Sequence, residues 1–391
     1  MKILVLPSWY PPYGGGFFEA QAEGLLEQQQ DVQVLSIERV SPRNFLSWVK
    51  ALICIFFADY NIRQDKRLSV IVSQIPGIPR LDRLHAFLYA YKSYKVFKKF
   101  SKNNDYTPDV IHAHSLIWAG FAAFKIKSKF NIPYIVTEHR GRFSNNQFVS
   151  CAEKKEMSLL EVALAAQHAS KILCVSSVLI PFIKSIAPSS NIETLPNLVN
   201  TESFKVKTVS PKKGTVFICV ASLIPLKNHE NLLRAFHEIV QSDDLLYIVG
   251  DGVLKEKLKL LCKQLDLCKQ VYFAGHASPE QVAAYLEKSD VFVLPSKYEA
   301  FGVVYIEAMS VGLPVIASKG TGAVDFVDSE NGRLVEPSNI NELAETMLFF
   351  KENKTKFNVD LISLNVKENY KTNVIIKSLI EHLTLARENN T

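Results

Sequence analysis

Short apolar runs rich in β-branched residues alternate with stretches of helical periodicity along almost the whole chain. This alternation is typical of β-α-β units, which build parallel sheets covered by helices. One such stretch, residues 17–30, places Phe18, Ala22 and Leu25 on one face and predicts a crossover helix after the first strand. In the first half of the chain, strands are predicted at residues 3–6, 32–37, 69–72, 110–113, 134–137 and 172–175.

Residues 194–213 interrupt this pattern, because they contain two prolines and several polar residues without sustained periodicity. We interpret them as a linker between two lobes. The alternation then resumes, so the fold class predicted is α/β, with two doubly wound lobes over residues 1–195 and 196–360 facing a central cleft. Ligands of such sheets bind at the carboxyl ends of the strands, and the cleft is the expected site of chemistry. The second set of strands is predicted at residues 216–221, 245–249, 271–274, 291–294, 314–317 and 332–335.

The composition excludes several classes of protein. The chain has 391 residues, 48% of them apolar and 21% charged, which excludes a disordered or fibrous protein. Its six cysteines are scattered and form no C-x-x-C pair, so neither a zinc cage nor a disulfide scaffold is indicated. The N-terminus lacks a signal-peptide apolar region, and the longest apolar run, residues 51–58, is too short to cross a bilayer. We therefore expect a cytoplasmic protein.

Charge is distributed unevenly between the two halves. Residues 1–205 carry 24 Lys and Arg against 16 Asp and Glu, a net charge of +8, whereas the remainder has 21 against 23, a net charge of −2. The basic half is compatible with an anionic partner, such as a membrane surface, or with a solvated basic helix over residues 81–104. Phe45, Trp48, Phe56 and Phe57, flanked by basic residues, resemble an interfacial helix, and a helix packed on its own lobe is the alternative.

The stretch PSKYEAFGVVYIEAMSVGLPVIAS combines a polar loop, a helix and a buried strand. Glu299 lies in the loop and Glu307 on the helix, and eight residues of helix would separate them by about 12 Å, which suits two parts of a long ligand. A helix that begins near Phe301, Gly302 and Val303 points free amides and the positive end of its dipole outward, which favours a diphosphate.

This stretch resembles the paired-glutamate motif of the retaining group 1 glycosyltransferases of family 4, which have the GT-B fold. The resemblance implies that Glu299 binds hydroxyls of the donor sugar and that Glu307 binds the ribose of the nucleotide. The matches to this family are dense over residues 195–350 and sparse in the first half of the chain. The resemblance also implies that residues 361–391 form a C-terminal helix that crosses back to the first lobe, and that the first lobe binds the acceptor and the second the donor.

Lys227 follows the strand predicted at residues 216–221, where a cation can neutralise the diphosphate that departs during transfer. Relatives carry an arginine five residues before this lysine, and this chain has Ser222 instead. A serine hydroxyl donates a hydrogen bond but supplies no bidentate, permanently charged clamp. The donor site is therefore predicted to include Ser222 and Lys227, with the leaving-group clamp reduced.

Four further residues belong to the predicted site. Gly15 and Gly16 end a glycine loop after the first strand, where relatives bind the phosphates and the sugar of the donor, and glycine permits that close approach. Gly250 in YIVGDG is another family match in the donor lobe. His139 follows the strand predicted at residues 134–137, at the place of a family histidine near the transferred sugar. Together with Glu299 and Lys227, His139 is predicted to be catalytic.

The sequence thus predicts a retaining glycosyltransferase that moves a sugar from a UDP- or GDP-sugar to an acceptor hydroxyl. The resemblance implies that no metal is required. The expected acceptor is a sugar or lipid-linked glycan in cell-surface polysaccharide biosynthesis, with peripheral contact to an anionic membrane and no nucleic-acid partner. The alternatives are a nucleotide-sugar 2-epimerase of the same fold and a non-catalytic nucleotide-sugar-binding subunit, the latter because of the missing arginine.

Overall fold

The computed structural model describes residues 1–9, 16–41, 44, 49, 53–77, 82–141, 159–207 and 213–389. The chain divides into two units, the first formed by Met1–Leu198 with Thr372–Thr391 and the second by Val199–Lys371. The chain therefore enters the second unit within the predicted linker. Residues 361–371 of the C-terminal segment belong to the second unit, and the residues from Thr372 onward belong to the first.

An eight-stranded sheet with the order β3-β4-β2-β1-β5-β6-β7-β8 forms the centre of the first unit. Its strands pair in parallel except for the antiparallel pair of β3 with β4. The strands are β1 (Lys2–Pro7), β2 (Asp31–Val40), β3 (Asn61–Asp65), β4 (Leu68–Pro76), β5 (Val110–His114), β6 (Tyr134–Glu138), β7 (Lys171–Cys174) and β8 (Ile192–Thr194). The helices are α1 (Gly16–Glu27), α2 (Asp82–Asn104), α3 (Phe121–Phe130), α4 (Leu159–Gln167), α5 (Ile180–Ile186) and, from the end of the chain, α12 (Thr372–Glu388).

A six-stranded parallel sheet with the order β11-β10-β9-β12-β13-β14 forms the second unit. Counted within the unit, this is the 3-2-1-4-5-6 order of dinucleotide-binding folds. The strands are β9 (Val216–Val220), β10 (Leu245–Val249), β11 (Val271–Gly275), β12 (Val291–Leu294), β13 (Val315–Ser318) and β14 (Gly332–Val335). The helices are α6 (His229–Ile239), α7 (Lys255–Gln264), α8 (Pro279–Glu287), α9 (Val303–Ser310), α10 (Ile340–Asn353) and α11 (Val359–Asn369).

The twelve strands predicted from the apolar runs are all present, and the residues that the structure describes contain two further strands that were not predicted. β3 has the sequence NIRQD, which contains one apolar residue, and it forms because it folds back antiparallel on β4 through a tight turn in which Lys66 has a φ of 52°. β8 is three residues long and lies at the edge of the sheet. Hydrophobic periodicity does not report such short or solvent-exposed edge strands.

The core of the first unit includes the last helix of the chain. Ile375, Ile376, Leu379 and Leu383 of α12 are buried in one cluster with residues of β1, β2 and α1. Gly24 of α1 makes room for this packing, since a Cβ atom there would lie 2.7 Å from the Ile376 side chain. Among the described residues, none of the helices is both long and apolar enough to cross a membrane.

We expect Leu379→Ala to destabilise the first unit by about 2–5 kcal/mol, because it removes a fully buried leucine and leaves a cavity. Leu385→Ala on the same helix is the matched control, since Leu385 is 51% exposed. Urea unfolding followed by circular dichroism measures both variants. Equal effects of the two substitutions would show that α12 does not contribute to this core.

Candidate active site

Lys227 and Glu299 meet where the strand order of the second sheet reverses. Lys227 follows β9 and Glu299 follows β12, and these two strands are neighbours in the sheet. The Lys227 ammonium forms an ion pair with Oε2 of Glu299, and the two side chains are 18% and 20% exposed. The loops that carry them are also joined through the backbone, because the Lys297 amide donates to the Leu226 carbonyl at 2.8 Å. Open α/β sheets bind ligands at this crevice.

Glycine at position 250 allows two loops of the second unit to approach each other. Gly250 follows β10 with a φ of 140°, and a Cβ atom there would lie 2.0 Å from the Ala221 carbonyl oxygen. Any side chain would therefore push away the loop after β9, which carries Ser222 and leads to Lys227. Ser222 is exposed in this loop. The structure thus gives Gly250 a packing role within the predicted donor site.

The N-terminus of α9 presents backbone amides without partners. Gly302 precedes the helix with a φ of 87° and receives no side-chain cap. Within the part of the chain that the structure describes, the amides of Phe301, Gly302 and Val303 donate to no acceptor. The Phe301 ring is buried against Phe326 and Tyr370, so this residue offers its backbone alone to a ligand. Such a helix start favours a bound anion.

Glu307 lies in α9, eight residues after Glu299, and is partly buried. Burial raises the pKa of its carboxyl, and no cation or hydrogen-bond donor of the described residues offsets this effect. Lys227 is the partner of Glu299 alone. The two glutamates of the motif therefore differ in their surroundings. Glu299 belongs to an ion pair, whereas the partly buried carboxyl of Glu307 has no hydrogen-bond donor among the described residues.

His139 belongs to the first unit and follows β6. Its Nδ1 lies 2.9 Å from Oδ1 of Asn197, and its Nε2 lies 3.2 Å from Nδ1 of His114. Burial lowers the pKa of His139 to about 4. The ring is also in contact with Phe17 and Phe18 of α1.

Glu138, a buried neighbour of His139, organises the loop after β6. Its Oε1 accepts from the amides of His139 and Arg140, each at 2.9 Å. Its Oε2 accepts from the Leu116 amide at 2.8 Å and from the Ser115 hydroxyl at 3.2 Å. Ser115 adopts a φ of 76° in the turn after β5, and such backbone strain concentrates at functional sites. One carboxylate thus ties together the loops after β5 and β6.

The structure therefore distributes the predicted residues between two units. One group lies around the switch point of the second sheet and comprises Ser222, Lys227, Gly250, Glu299, Phe301, Gly302, Val303 and Glu307. Gly16 and His139 belong to the first unit, where Gly16 begins α1, and Gly15 lies outside the described residues. Among the described residues, no group of three or more His, Cys, Asp and Glu is arranged to hold a metal ion.

Sequence reasoning missed two buried residues, each of them close to a predicted residue of its own unit. The organising role of Glu138 was not predicted, although a carboxylate at the last position of a buried strand is a signal that could have suggested it. His229 begins α6 two residues after Lys227. Burial, with the Lys227 charge, lowers the pKa of His229 to about 4, and neither ring nitrogen has a partner among the described residues.

Glu307→Gln is expected to raise the stability of the free protein at pH 7.5. The folded state raises the pKa of Glu307 above its ordinary value of 4.5, so the ionised carboxylate weakens folding at neutral pH, and this penalty disappears as the pH falls below 4.5. The stability gained by Glu307→Gln should therefore shrink to nothing in acid. Thermal unfolding between pH 4 and pH 8 measures it, with Glu345→Gln, an exposed position in α10, as the control. A gain that persists in acid would point to a cause other than charge burial.

Comparison with known proteins identifies the family. The model of glycosyl transferases group 1 matches residues 200–365, and that of glycosyltransferase family 4 matches residues 21–203. An uncharacterised glycosyltransferase of Methanocaldococcus jannaschii is 25% identical over 349 residues, which cover 89% of this chain and 88% of the relative. A putative teichuronic acid biosynthesis glycosyltransferase of Bacillus subtilis is 26% identical over 370 residues, covering 89% and 88%.

Among solved structures, the Anabaena protein HepE in complex with UDP has the same fold, with a TM-score of 0.73 at 18% identity. The likeness covers 98% of this chain and 100% of that one. Two family models that adjoin near residue 200, each on one Rossmann-like unit, account for most of the sequence. The chain is a glycosyltransferase of the group 1 and family 4 type, with the GT-B fold.

Proposed function

We propose that this glycosyltransferase is a retaining enzyme that transfers a sugar from a nucleotide-sugar donor, a UDP- or GDP-sugar, to an acceptor hydroxyl. The observation that carries the proposal is the meeting of Lys227 and Glu299 at the switch point of the second sheet. The HepE structure with UDP supports a nucleotide donor by analogy.

Each group around the switch point has a role in this proposal. Without donor, Lys227 and Glu299 neutralise each other, and a bound donor would separate them by offering phosphate to the ammonium and sugar hydroxyls to the carboxylate. The amides of residues 301–303 and the Ser222 hydroxyl would bind the same diphosphate. Charge that develops on the leaving diphosphate is then stabilised by donors already in place, which lowers the barrier to transfer.

Glu307 suits the ribose hydroxyls of the donor. Burial raises the pKa of its carboxyl because no donor of the described residues compensates the lost hydration. Two hydroxyls would supply the missing hydrogen bonds and favour the ionised form. We propose that the enzyme needs no metal ion, because Lys227 and the α9 amides supply the positive charge for the diphosphate.

We infer that the first unit binds the acceptor, with His139 near the transferred sugar. The segment to residue 205 carries a net charge of +8, which favours an anionic or membrane-associated acceptor. The relative from Bacillus subtilis is named for the biosynthesis of teichuronic acid. A lipid-linked glycan in cell-surface polysaccharide synthesis is therefore the acceptor class we propose.

Lys227→Ala and Glu307→Ala are expected to reduce donor turnover at least about 100-fold, the scale of losing one preorganised transition-state contact. Lys227→Arg should retain part of the activity, because it preserves the charge but not the geometry. Turnover is measured as nucleoside diphosphate released from a panel of UDP-, GDP- and ADP-sugars. Lys263→Ala and Glu345→Ala, at exposed positions of the same unit, are the matched controls.

Near-normal turnover in either site variant would overturn the assignment of the donor site. If the wild type releases no diphosphate from any sugar of the panel, calorimetric titration with the same donors decides between two cases. Binding without turnover would indicate a non-catalytic subunit, which is the alternative that the missing arginine favours. Absence of binding would reject the assignment of the donor site.

An exposed aromatic pair in the first unit supports membrane contact. Phe56 and Phe57 are 68% and 56% exposed. Lys92 of α2 is buried beneath them, and its ammonium donates to the carbonyls of Cys54 and Phe57 at 2.5 and 2.6 Å. The Lys92 ammonium thus holds the backbone of this segment in place while the rings of Phe56 and Phe57 remain exposed to solvent. Phe45, Trp48 and the basic residues that precede the pair in the predicted interfacial helix lie outside the described residues.

We expect the protein to float with vesicles that contain anionic lipid, and the double variant Phe56→Ser, Phe57→Ser to lose most of this binding. Because both rings are exposed, the variant should keep the wild-type unfolding temperature. Leu260→Ser, at a 56% exposed position of the second unit, is the matched control. Equal flotation of the double variant and the wild type, or no flotation at low salt, would remove this part of the proposal.

A further inference from the structure

Both ring nitrogens of His139 are occupied by protein atoms. Nδ1 faces the Asn197 amide oxygen at 2.9 Å, and Nε2 faces Nδ1 of His114 at 3.2 Å. The His114 ring stacks on that of His139 with centroids 5.4 Å apart, and Phe18 lies against both rings. A histidine that served as a proton donor or acceptor for substrate would need at least one nitrogen directed at the substrate.

The hydrogen-bond partners determine where the protons lie. An amide oxygen only accepts, so Nδ1 of His139 carries the proton that it donates to Asn197. In a neutral His139 ring Nε2 is then a lone pair, so Nδ1 of His114 donates to it. The Nε2 of His114 is consequently left without a proton, and it has no partner among the described residues. Both rings are neutral Nδ1–H tautomers in this arrangement.

The surroundings favour neutral rings. His112 and His114 are fully buried on β5, and their rings lie 4.2 Å apart. Burial is the main cause that lowers the pKa of all three imidazoles, and the neighbouring imidazoles lower it further for His112 and His114. The hydrogen bond to Asn197 acts on His139 in the opposite direction and is outweighed by burial. Glu138 accepts a hydrogen bond from the backbone amide of His139. Arg140 and Cys174 are the other titratable groups that interact electrostatically with Glu138.

We propose that Asn197 and His114 are positioning residues that fix His139 as the Nδ1–H tautomer, while burial keeps the ring neutral, so that His139 keeps its proton throughout the transfer. This inference rests on the proposed function, which places His139 near the transferred sugar. It gives the His139 ring a fixed orientation there and no part in proton transfer. Neither a spacing nor a motif of the sequence assigns this role to Asn197 or His114.

The place of Asn197 in the chain adds to its role. It is 5% exposed and lies two residues before Val199, where the second unit begins. The neighbouring backbone is fixed to the first sheet, because the Leu195 amide donates to the Cys174 carbonyl at 2.8 Å. The amide side chain that orients His139 is thus held by the first unit at the point where the chain leaves it.

Nitrogen-15 NMR of the wild-type protein labelled at histidine tests the proposed tautomer of His139 without any measurement of activity. We expect the signals assigned by His114→Asn and His139→Gln to show protonated Nδ1 and bare Nε2 in both residues, unchanged between pH 5.5 and pH 8. Protonated Nε2 in His139, or titration near the ordinary histidine pKa of 6.5, would overturn the proposal.

Substitution of Asn197 tests the effect on turnover. In Asn197→Asp a carboxylate accepts the hydrogen bond from Nδ1–H of His139. It should raise the pKa of His139, since a negative charge favours imidazolium. Turnover relative to wild type should therefore fall as the pH drops from 8 to 5.5, whereas Asn200→Asp, an exposed control three residues on, should give a constant ratio. A constant ratio for Asn197→Asp would mean that Asn197 acts on stability alone.

Substitution of His114 provides a rescue. An asparagine amide nitrogen can occupy the position of Nδ1 and donate to His139, so kcat of His114→Asn should exceed that of His114→Ala about tenfold, the effect of roughly 1.4 kcal/mol. Equal kcat values for these two folded variants would contradict the proposal. Since the NMR result does not depend on turnover, failure of the proposed tautomer can be distinguished from failure of the proposed transferase function.

Discussion

The reversal of strand order in each sheet is the constraint that positions both groups of candidate residues, those around Lys227 in the second unit and those around His139 in the first. In each sheet the chain builds outward from a central strand, first to one side and then to the other, so the loops after β1 and β5, and those after β9 and β12, leave in opposite directions. The space between such diverging loops is open to a ligand. Lys227 and Glu299 occupy it in one sheet, and the Glu138 network borders it in the other.

Hydrophobic periodicity was sufficient to predict the fold, because every central strand is a short segment rich in apolar and β-branched residues. It failed for β3, whose polar side chains are tolerated at an exposed edge. The pattern of strands also placed Lys227 and Glu299 in loops that follow buried strands, at the carboxyl edge of the sheet, and Glu307 on the next helix. Their mutual geometry was beyond its reach, because the ion pair joins residues 72 positions apart.

The contacts of buried polar groups were the least predictable part of the site. Glu138 collects four hydrogen bonds, and His139 uses both nitrogens within its own unit, although neither residue belongs to a motif that implies these partners. A buried charge must find donors or lose its ionisation. The identity of those donors depends on tertiary contacts between loops that are distant in the sequence. Positions can thus be read from sequence, whereas protonation states require the structure.

The return of α12 to the first unit makes the second unit an insertion in the covalent order of the chain. During synthesis, residues 199–371 leave the ribosome before the helix that completes the core of the first unit. The second unit is therefore complete while the first still exposes the apolar surface that Ile376, Leu379 and Leu383 will cover. Premature termination within codons 372–391 would spare the second unit, which is nearer the break, and damage the first unit, which was made earlier.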